Sequence, residues 1–170
     1  AAGLRRGNGD AKKQALSDES NRLVVFDGGV VVLDQHGEVV ATLPERQEIL
    51  GEDWSGRAYF GQIVRSPQAV YSDILPDGPQ DSDVIAVAVP IFGDQGELQG
   101  VLVGMFRTGA SSVSAFYGGI VKQRLVESGR IYLVDGKGRV IYHPDPERIG
   151  TDFSSQSAVQ SLLTGQAGAS

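Results

Sequence analysis

The chain has 170 residues and a formal net charge of −6, with 15 Lys and Arg against 21 Asp and Glu. A hydrophobic content of 41% is enough to bury a core and excludes a wholly disordered chain. The acidic balance argues against a nucleic-acid partner, which needs a basic surface, and the absence of Cys excludes disulfides and thiolate chemistry.

The first predicted elements, in chain order, are a helical lead-in and a β-hairpin. A faint helical pattern covers Asp10–Val24, within a lead-in of residues 1–25. Two apolar, β-branched runs then flank the tetrapeptide Asp34-Gln35-His36-Gly37. The Asp side chain can accept hydrogen bonds from the backbone ahead of it, and Gly can adopt the positive φ needed at the exit of a turn. The pattern therefore predicts a strand on each side of this turn.

A short helix and three more strands complete the first predicted unit, residues 26–108. The helix is expected near Arg57–Val64, and the turn Asp94–Glu97 joins the last two strands. The three strands are expected near Gln68–Leu75, Val84–Phe92 and Leu98–Phe106. Five antiparallel strands with helices inserted between the second and the third form a PAS-like arrangement.

A helix is predicted to link this unit to the rest of the chain, over residues 109–129. Apolar residues from Val113 to Leu125 recur at i, i+3, i+4, i+7, i+8 and i+12, which is one face of an α-helix. A serine at position 111 or 112 can cap its start, and Gly129 lies where a helix can end.

The sequence then repeats itself, and this is its strongest signal. Val31–Val40 aligns with Tyr132–Ile141 at a constant offset of 101 residues, and Leu50–Ser55 aligns with Ile149–Ser154 at an offset of 99. Both blocks occur in the same order in each half. The second half is therefore predicted to begin with the same hairpin as the first.

Paired positions within the repeat indicate folding roles. Trp54 and Phe153 are equivalent, and a role that recurs in both units is better explained by core packing than by ligand contact. Gly51 and Gly150 are also paired and are predicted to need a positive φ.

The second unit, residues 130–170, is predicted to be incomplete. By the repeat offset, Ser170 corresponds to position 71, where the first unit still has three strands to form. Only an opening hairpin and a helix near Gln156–Leu163 are expected. Because a lone hairpin is marginal in water, the chain is a fragment, or this segment packs on its neighbour, or another chain completes its sheet. The predicted fold class is α+β, with two PAS-like antiparallel-sheet units, the second incomplete, joined by a helix.

These blocks resemble the double Cache family of tandem PAS-like sensor modules. In the first unit the matching stretches are Phe26–Asp34, Gly51–Phe60, Ala88–Ile91 and Gly100–Gly104; in the second they are Ile131–Asp135, Ile141–Pro146 and Ile149–Asp152. The resemblance implies the extracytoplasmic part, periplasmic or extracellular, of a cell-membrane receptor that binds a small polar ligand, such as a carboxylate. The ligand site is expected in the first, membrane-distal unit. No apolar run approaches the ~20 residues that span a bilayer, so membrane contact is expected only through flanking segments absent from this chain.

The resemblance also implies an output through a sensor histidine kinase of a two-component system. A chemotaxis transducer or a cyclic-dinucleotide enzyme would carry the same input module. A ligand-free structural or dimerisation module is a third alternative, and homodimerisation is left open. The sequence has no Gly-x-Ser-x-Gly elbow, phosphate-binding loop or His-Glu-x-x-His pair. This chain is therefore expected to be a sensor fragment and not an enzyme, with no cofactor.

The resemblance assigns a ligand-facing role to Arg57, Tyr59 and Phe60, which match the family's Arg-x-aromatic-aromatic element. A planar guanidinium can bond both oxygens of a carboxylate, and a Tyr supplies an apolar wall and a hydroxyl. The alternative is an exposed ion pair between Arg57 and Asp53, worth about 0.3–0.5 kcal/mol.

Tyr71 and Asp73 match the family's pocket-lining strand. Alternation along a strand would place both on one face and Ser72 on the other, and an outward-facing polar edge is the alternative. Family members that bind amino acids have an acid near the end of the last strand, whereas the matching Gly104–Arg107 has none. Asp73 could substitute for that acid. The missing acid makes an amino-acid ligand less favoured, and a plain carboxylate or another small polar molecule more so.

Two other polar groupings are expected to be structural, so no metal site is predicted. His143 lies near two carboxylates but lacks metal-binding spacing, and a turn after a strand is favoured. The loop acids lack the Asp-x-Asp-x-Asp-Gly order of a calcium site. An exposed acidic loop is favoured for these three residues, Asp77, Asp81 and Asp83.

Overall fold

The computed structural model describes residues 9–108 and 132–165. The predicted linking helix, residues 109–129, and the start of the lead-in lie outside the described residues. The described helices are α1 (Gly9–Asp18), α2 (Ser20–Leu23), α3 (Ala58–Arg65) and α4 (Ser157–Leu163). The strands are β1 (Gly29–Asp34), β2 (Val39–Leu43), β3 (Val70–Leu75), β4 (Val84–Phe92), β5 (Leu98–Arg107), β6 (Leu133–Val134) and β7 (Val140–Tyr142). No helix in these two ranges has the length and apolar character needed to cross a membrane.

The first five strands form one antiparallel sheet in the order β2-β1-β5-β4-β3. Strand β1 lies between β2 and β5, with Val32 opposite Ala41 of β2 and Val31 opposite Val103 of β5. In the sequence, α3 lies between β2 and β3. The turn between β4 and β5 contains Gly96 at φ +84°, as its sequence predicts. This arrangement confirms the predicted PAS-like, α+β fold.

Alternating residues of β1 build two separate cores, one on each face of the sheet. On one face, Val31 and Leu33 pack with three residues of α3, namely Tyr59, Phe60 and Ile63. On the other face, Val30 and Val32 pack with Leu16 of α1. Fully burying one such apolar side chain contributes about 1.5–3 kcal/mol. The helices α1 and α3 are therefore held to opposite faces by their apolar sides.

The two hairpin turns of the repeat have the same hydrogen bonds. Asp34 Oδ1 accepts from the backbone N–H groups two and four residues later, at 2.8 and 2.9 Å. Asp135 Oδ1 does the same, at 2.9 Å for each bond. The glycines that end the turns, Gly37 and Gly138, have φ of +93° and +85°. Because each turn joins two antiparallel strands, the predicted duplication is confirmed.

The aromatic and glycine positions that follow the turns are also alike in the two copies of the repeat. Trp54 and Phe153 are 3% and 8% exposed, and the N–H of each donates to the glycine carbonyl of its own turn, at 2.8 and 2.9 Å. Both are core residues, as predicted. Gly51 and Gly150 have φ of +83° and +81°, which confirms the predicted positive φ.

The second unit contributes a two-stranded sheet, β6–β7, and the helix α4. Three buried residues, Val140, Phe153 and Val159, form its small core. The hairpin and the helix both occur where the repeat predicted them. The hairpin turn of this unit contacts strand β3 of the first sheet, which brings it to the candidate site.

Candidate functional site

Arg57 occupies the N-cap of α3 with an extended backbone (φ −69°, ψ 135°). Its Nη2 lies 2.7 Å from Oδ1 of Asp77, whose side chain is only 2% exposed. The guanidinium carbon lies over the Trp54 ring, 5.3 Å from the ring centroid. The alternative of a surface pair with Asp53 is wrong, because Arg57 is drawn toward a buried carboxylate instead. Asp53 accepts a hydrogen bond from the N–H of Ser55 at 2.8 Å.

Asp77 belongs to the loop between β3 and β4, for which the sequence predicted an exposed acidic loop. That prediction is wrong for Asp77, because two arginines hold this part of the loop inward. Arg57 pairs with the carboxylate, and Arg46 Nη1 donates to the backbone carbonyl of Asp77 at 3.0 Å. Burial raises the pKa of the Asp77 carboxyl above its ordinary value of 3.8, while the charge of Arg57 opposes the rise.

Four buried polar atoms at the start of α3 and in the β3–β4 loop have no hydrogen-bond partner among the described residues. They are Arg57 Nε, Tyr59 OH, Asp77 Oδ2 and Ser82 Oγ. Burial, reinforced by the charge of Asp77, raises the pKa of the Tyr59 hydroxyl well above its ordinary value of 10.0, so the hydroxyl keeps its proton. An unpaired buried polar group costs about 1–3 kcal/mol. A polar molecule placed here would gain hydrogen bonds that the fold leaves unused.

A cavity of about 140 Å³ opens between α3 and β3. Its apolar walls are Ala58, Val70 and Leu75. Its polar walls are Tyr59, Gln62, Tyr71, Ser72, Asp73 and Lys137. Pockets for drug-sized ligands occupy ~300–1,000 Å³, so this cavity suits a smaller molecule. Tyr59 lines the cavity, and its buried hydroxyl is one of the unpaired polar atoms.

Three of the five predicted ligand residues line this cavity: Tyr59, Tyr71 and Asp73. Phe60 does not line it; its side chain is buried in the core between α3 and the sheet. Arg57 directly precedes the lining residue Ala58, and its guanidinium lies beside Asp77. The structure thus brings three predicted residues together at the cavity, whereas Phe60, within α3, and Arg57, at its N-cap, do not line it.

Strand β3 does not follow the alternation expected from its sequence. The pairing register with β4 shifts between Tyr71 and Ile74, which is a bulge. At this irregularity Ser72 Oγ accepts a hydrogen bond from the N–H of Ala86 at 2.8 Å. Ser72 and Asp73 both line the cavity, although a regular strand would place them on opposite faces.

Sequence reasoning missed three residues that shape the site: Arg46, Asp77 and Lys137. Arg46 reaches Asp77 across 31 positions of sequence, and no local pattern indicates such a contact. Lys137 is aligned with His36 in the repeat, which marks it as a turn residue and not as part of a cavity. Asp77 was recognised only as one of three loop acids.

The predicted turn after β7 is present. His143 Nδ1 accepts a hydrogen bond from the N–H of Asp145 at 2.9 Å, and Asp145 Oδ1 accepts from the N–H of Glu147 at 3.2 Å. A single 3₁₀ turn, Pro146–Arg148, follows. Within residues 9–108 and 132–165, no group of three or more His, Asp or Glu side chains is placed to hold a metal ion.

Comparison with known proteins gives one family and a set of similar folds. The sequence model described as the Cache domain matches residues 8–169. No curated protein matches the sequence.

Several solved structures share the fold. An extracellular ligand binding receptor from Desulfohalobium retbaense has a TM-score of 0.69 at 20% identity, covering 94% of this chain and 28% of that one. The ligand-binding domain of Pseudomonas fluorescens chemoreceptor CtaA, in complex with L-serine, has a TM-score of 0.60 at 18% identity, covering 85% and 59%. That of the Pseudomonas aeruginosa amino acid chemoreceptor PctB, in complex with L-Arg, has a TM-score of 0.61 at 17% identity, covering 88% and 56%. The chain spans less than two thirds of each of these relatives.

Proposed function

The chain belongs to the Cache domain family, and we propose that it binds a small polar ligand as the extracytoplasmic input module of a transmembrane receptor. The three solved relatives support this role, since each is described as a ligand-binding receptor or domain. The module is proposed to bind without catalysing a reaction, on the periplasmic or extracellular side.

A polar cavity that adjoins unpaired buried atoms is the observation that carries this proposal. A purely structural module would be expected to fill such a space with its own side chains and to pair its buried polar groups. Here the cavity remains open at about 140 Å³. Arg57 Nε and Tyr59 OH lie buried and neither has a hydrogen bond of good geometry among the described residues, although the Arg57 side chain is close enough to Tyr59 to oppose the rise of its pKa.

A carboxylate is the ligand group favoured by two of the four unpaired atoms, Arg57 Nε and Tyr59 OH. The Nε of Arg57 can only donate a hydrogen bond, and the Tyr59 hydroxyl keeps a proton to donate, whereas carboxylate oxygens accept. We propose Arg57, Tyr59, Tyr71 and Asp73 as contact residues, with Phe60 supporting the wall from the core. Arg57 would reach the ligand by sharing its guanidinium between the ligand and Asp77.

The output of the receptor is a separate proposal. The sequence resemblance favours a sensor histidine kinase, whereas two of the similar structures favour a chemotaxis transducer, because those two proteins are chemoreceptors. The two receptor types differ in the segment that follows the input module. Sequencing the coding region downstream of this chain therefore distinguishes them.

A thermal-shift screen tests the ligand proposal. The probes are L-serine, L-arginine, GABA, acetate and succinate, each of which carries a carboxylate. A ligand at about 100 times its Kd stabilises the folded state by about 2.7 kcal/mol. We expect at least one probe to raise the Tm of the wild type, and Arg57→Gln to lose that shift because it removes the cation.

Arg65→Gln is the matched control, since Arg65 lies at the exposed end of the same helix. It should keep the full shift. If the ligand raises the Tm of the Arg57→Gln variant as much as that of the wild type, Arg57 does not contact the ligand. No shift with any of the five probes would favour the ligand-free dimerisation module.

A further inference from the structure

The hairpin turn of the second unit, residues 135–139, lies against the cavity strand β3 of the first unit. The N–H of Gly136 donates to Asp73 Oδ1 at 3.1 Å, and Lys137 Nζ lies 3.3 Å from Asp73 Oδ2. In the other direction, the N–H of Ile74 donates to Asp135 Oδ2 at 3.4 Å. Asp73 therefore belongs both to the cavity wall and to the contact between the units.

Lys137 brings a positive charge to the cavity. It is the sole cation among the described residues that line the cavity. Arg57 is not one of them, and its guanidinium lies beside Asp77. An ammonium group has three N–H donors, and the Asp73 carboxylate beside it is itself 34% exposed. Since exposed ion pairs are weak, the ammonium can be shared with a second anionic group.

The fold of the turn does not require a lysine at this position. Its equivalent in the first unit is His36. In each turn the Asp side chain contacts this position through the backbone N–H, and the side chain of His36 or Lys137 takes no part in that bond. The Lys137 side chain, which is 69% exposed, is thus not used to form the turn. Its placement at the cavity is a property of the second copy alone.

We propose that the ligand binds across both units, with Lys137 contacting an anionic group of the ligand while Tyr59 and Tyr71 hold it from the first unit. This inference rests on the proposed function and deepens it, because it makes the second unit part of the ligand site. A ligand held in this way stabilises the contact between the turn and β3. By linkage, that contact raises the affinity for the ligand.

Titration calorimetry on the full chain with the same five carboxylate probes tests the inference. We expect Lys137→Gln to weaken binding of the best probe about tenfold, the loss typical of one hydrogen bond to a charged group. Lys137→Arg should restore most of the affinity, because it keeps the charge. Lys13→Gln is the control: that ammonium pairs with Glu45, outside the cavity, and its loss should leave binding unchanged.

Hydrogen exchange at the Gly136 amide gives a second measurement. Because this amide donates to Asp73, a bridging ligand should slow its exchange in the wild type and not in Lys137→Gln. If Lys137→Gln keeps wild-type affinity while Arg57→Gln loses binding, the ligand is confined to the first unit. That result would overturn this inference but not the proposed function. Binding that survives both substitutions would place the ligand outside the proposed site and overturn the inference, and no binding by any probe would overturn the proposed function as well.

Discussion

Asp77 is a carboxylate whose buried position favours its neutral form, even though Arg57 lies 2.7 Å away. Its pKa is raised above 3.8, first by burial and against the charge of the arginine. Because the pKa in the folded state lies above that in the unfolded state, the contribution of Asp77 to stability is fully present at low pH. It is lost as the pH rises through the folded-state pKa.

Asp77→Asn therefore gives a pH-dependent prediction. Asn resembles the protonated acid and does not titrate, so the Tm of the wild type relative to the variant should fall by a few degrees as the pH rises from about 4 through the raised folded-state pKa. Thermal unfolding across this pH range measures the difference. A constant difference would show that burial does not set the protonation of Asp77.

Asp53→Asn is a control with the opposite sign. Hydrogen bonds from the side chain and the N–H of Ser55 lower the pKa of Asp53. Its contribution is therefore present above its unfolded-state pKa and lost as the pH falls through the folded-state pKa. The wild type should gain stability relative to this variant as the pH rises.

Only part of the candidate site could be predicted at the level of residues. Short motifs on one helix and one strand contain Tyr59, Tyr71 and Asp73. Such motifs can be recognised because their residues are close together in the sequence. Asp77 and Lys137 could not be found, because their positions depend on contacts between distant segments. The turn that carries Lys137 meets Asp73 across 63 positions of sequence at Gly136.

At the scale of elements, comparing the two copies of the repeat shows which side chains the start of a helix requires. The N-cap residues of α3 and α4 are Arg57 and Gln156, with nearly the same backbone angles of −69° and 135° against −74° and 135°. A neutral side chain thus supports the same helix start. The charge of Arg57 is not required by the turn, which is consistent with its proposed role toward a ligand.

Gly37→Ala tests the turn geometry that both copies share. Gly37 has φ +93°, and a Cβ there would lie 2.7 Å from backbone atoms of Ser55. Gly51 has φ +83° but no atom within 4 Å of such a Cβ. We expect Gly37→Ala to lower the free energy of unfolding by roughly 2–4 kcal/mol and Gly51→Ala by about 1–2 kcal/mol. Urea unfolding of both variants compares them, and equal losses would exclude the close approach as the cause.

The hairpins and the helices could be predicted because their signals are local. An Asp that accepts bonds from the next few N–H groups and a Gly at positive φ specify each turn within four residues. The bulge between Tyr71 and Ile74 could not be predicted, because Ser72 there replaces a strand bond to Ala86, a partner 14 residues away.

At the scale of the whole molecule, the described contacts between the two units are polar and few. Besides the bonds to Asp73 and Ile74, Arg139 Nη2 lies 3.2 Å from Asp83 Oδ2. Surface ion pairs of this kind contribute only about 0–1 kcal/mol each. The ion pairs among these described contacts are therefore individually weak.

Asp73→Ala should loosen this association without a ligand. The variant removes the acceptor of the Gly136 N–H and the partner of Lys137, so the Gly136 amide should exchange about tenfold faster. Hydrogen-exchange mass spectrometry measures this. Asp18→Ala, which removes only an exposed contact with Gln14 on α1, should leave the rate unchanged; equal effects of both variants would contradict the assignment of Asp73 to the contact.

The matching helix starts at Arg57 and Gln156 have an evolutionary consequence. Since one backbone accepts either side chain, a mutation at this cap would change the proposed ligand contact of Arg57 while leaving the helix start in place. The helix start itself therefore does not limit which side chain occupies this position in the copies of a duplicated domain.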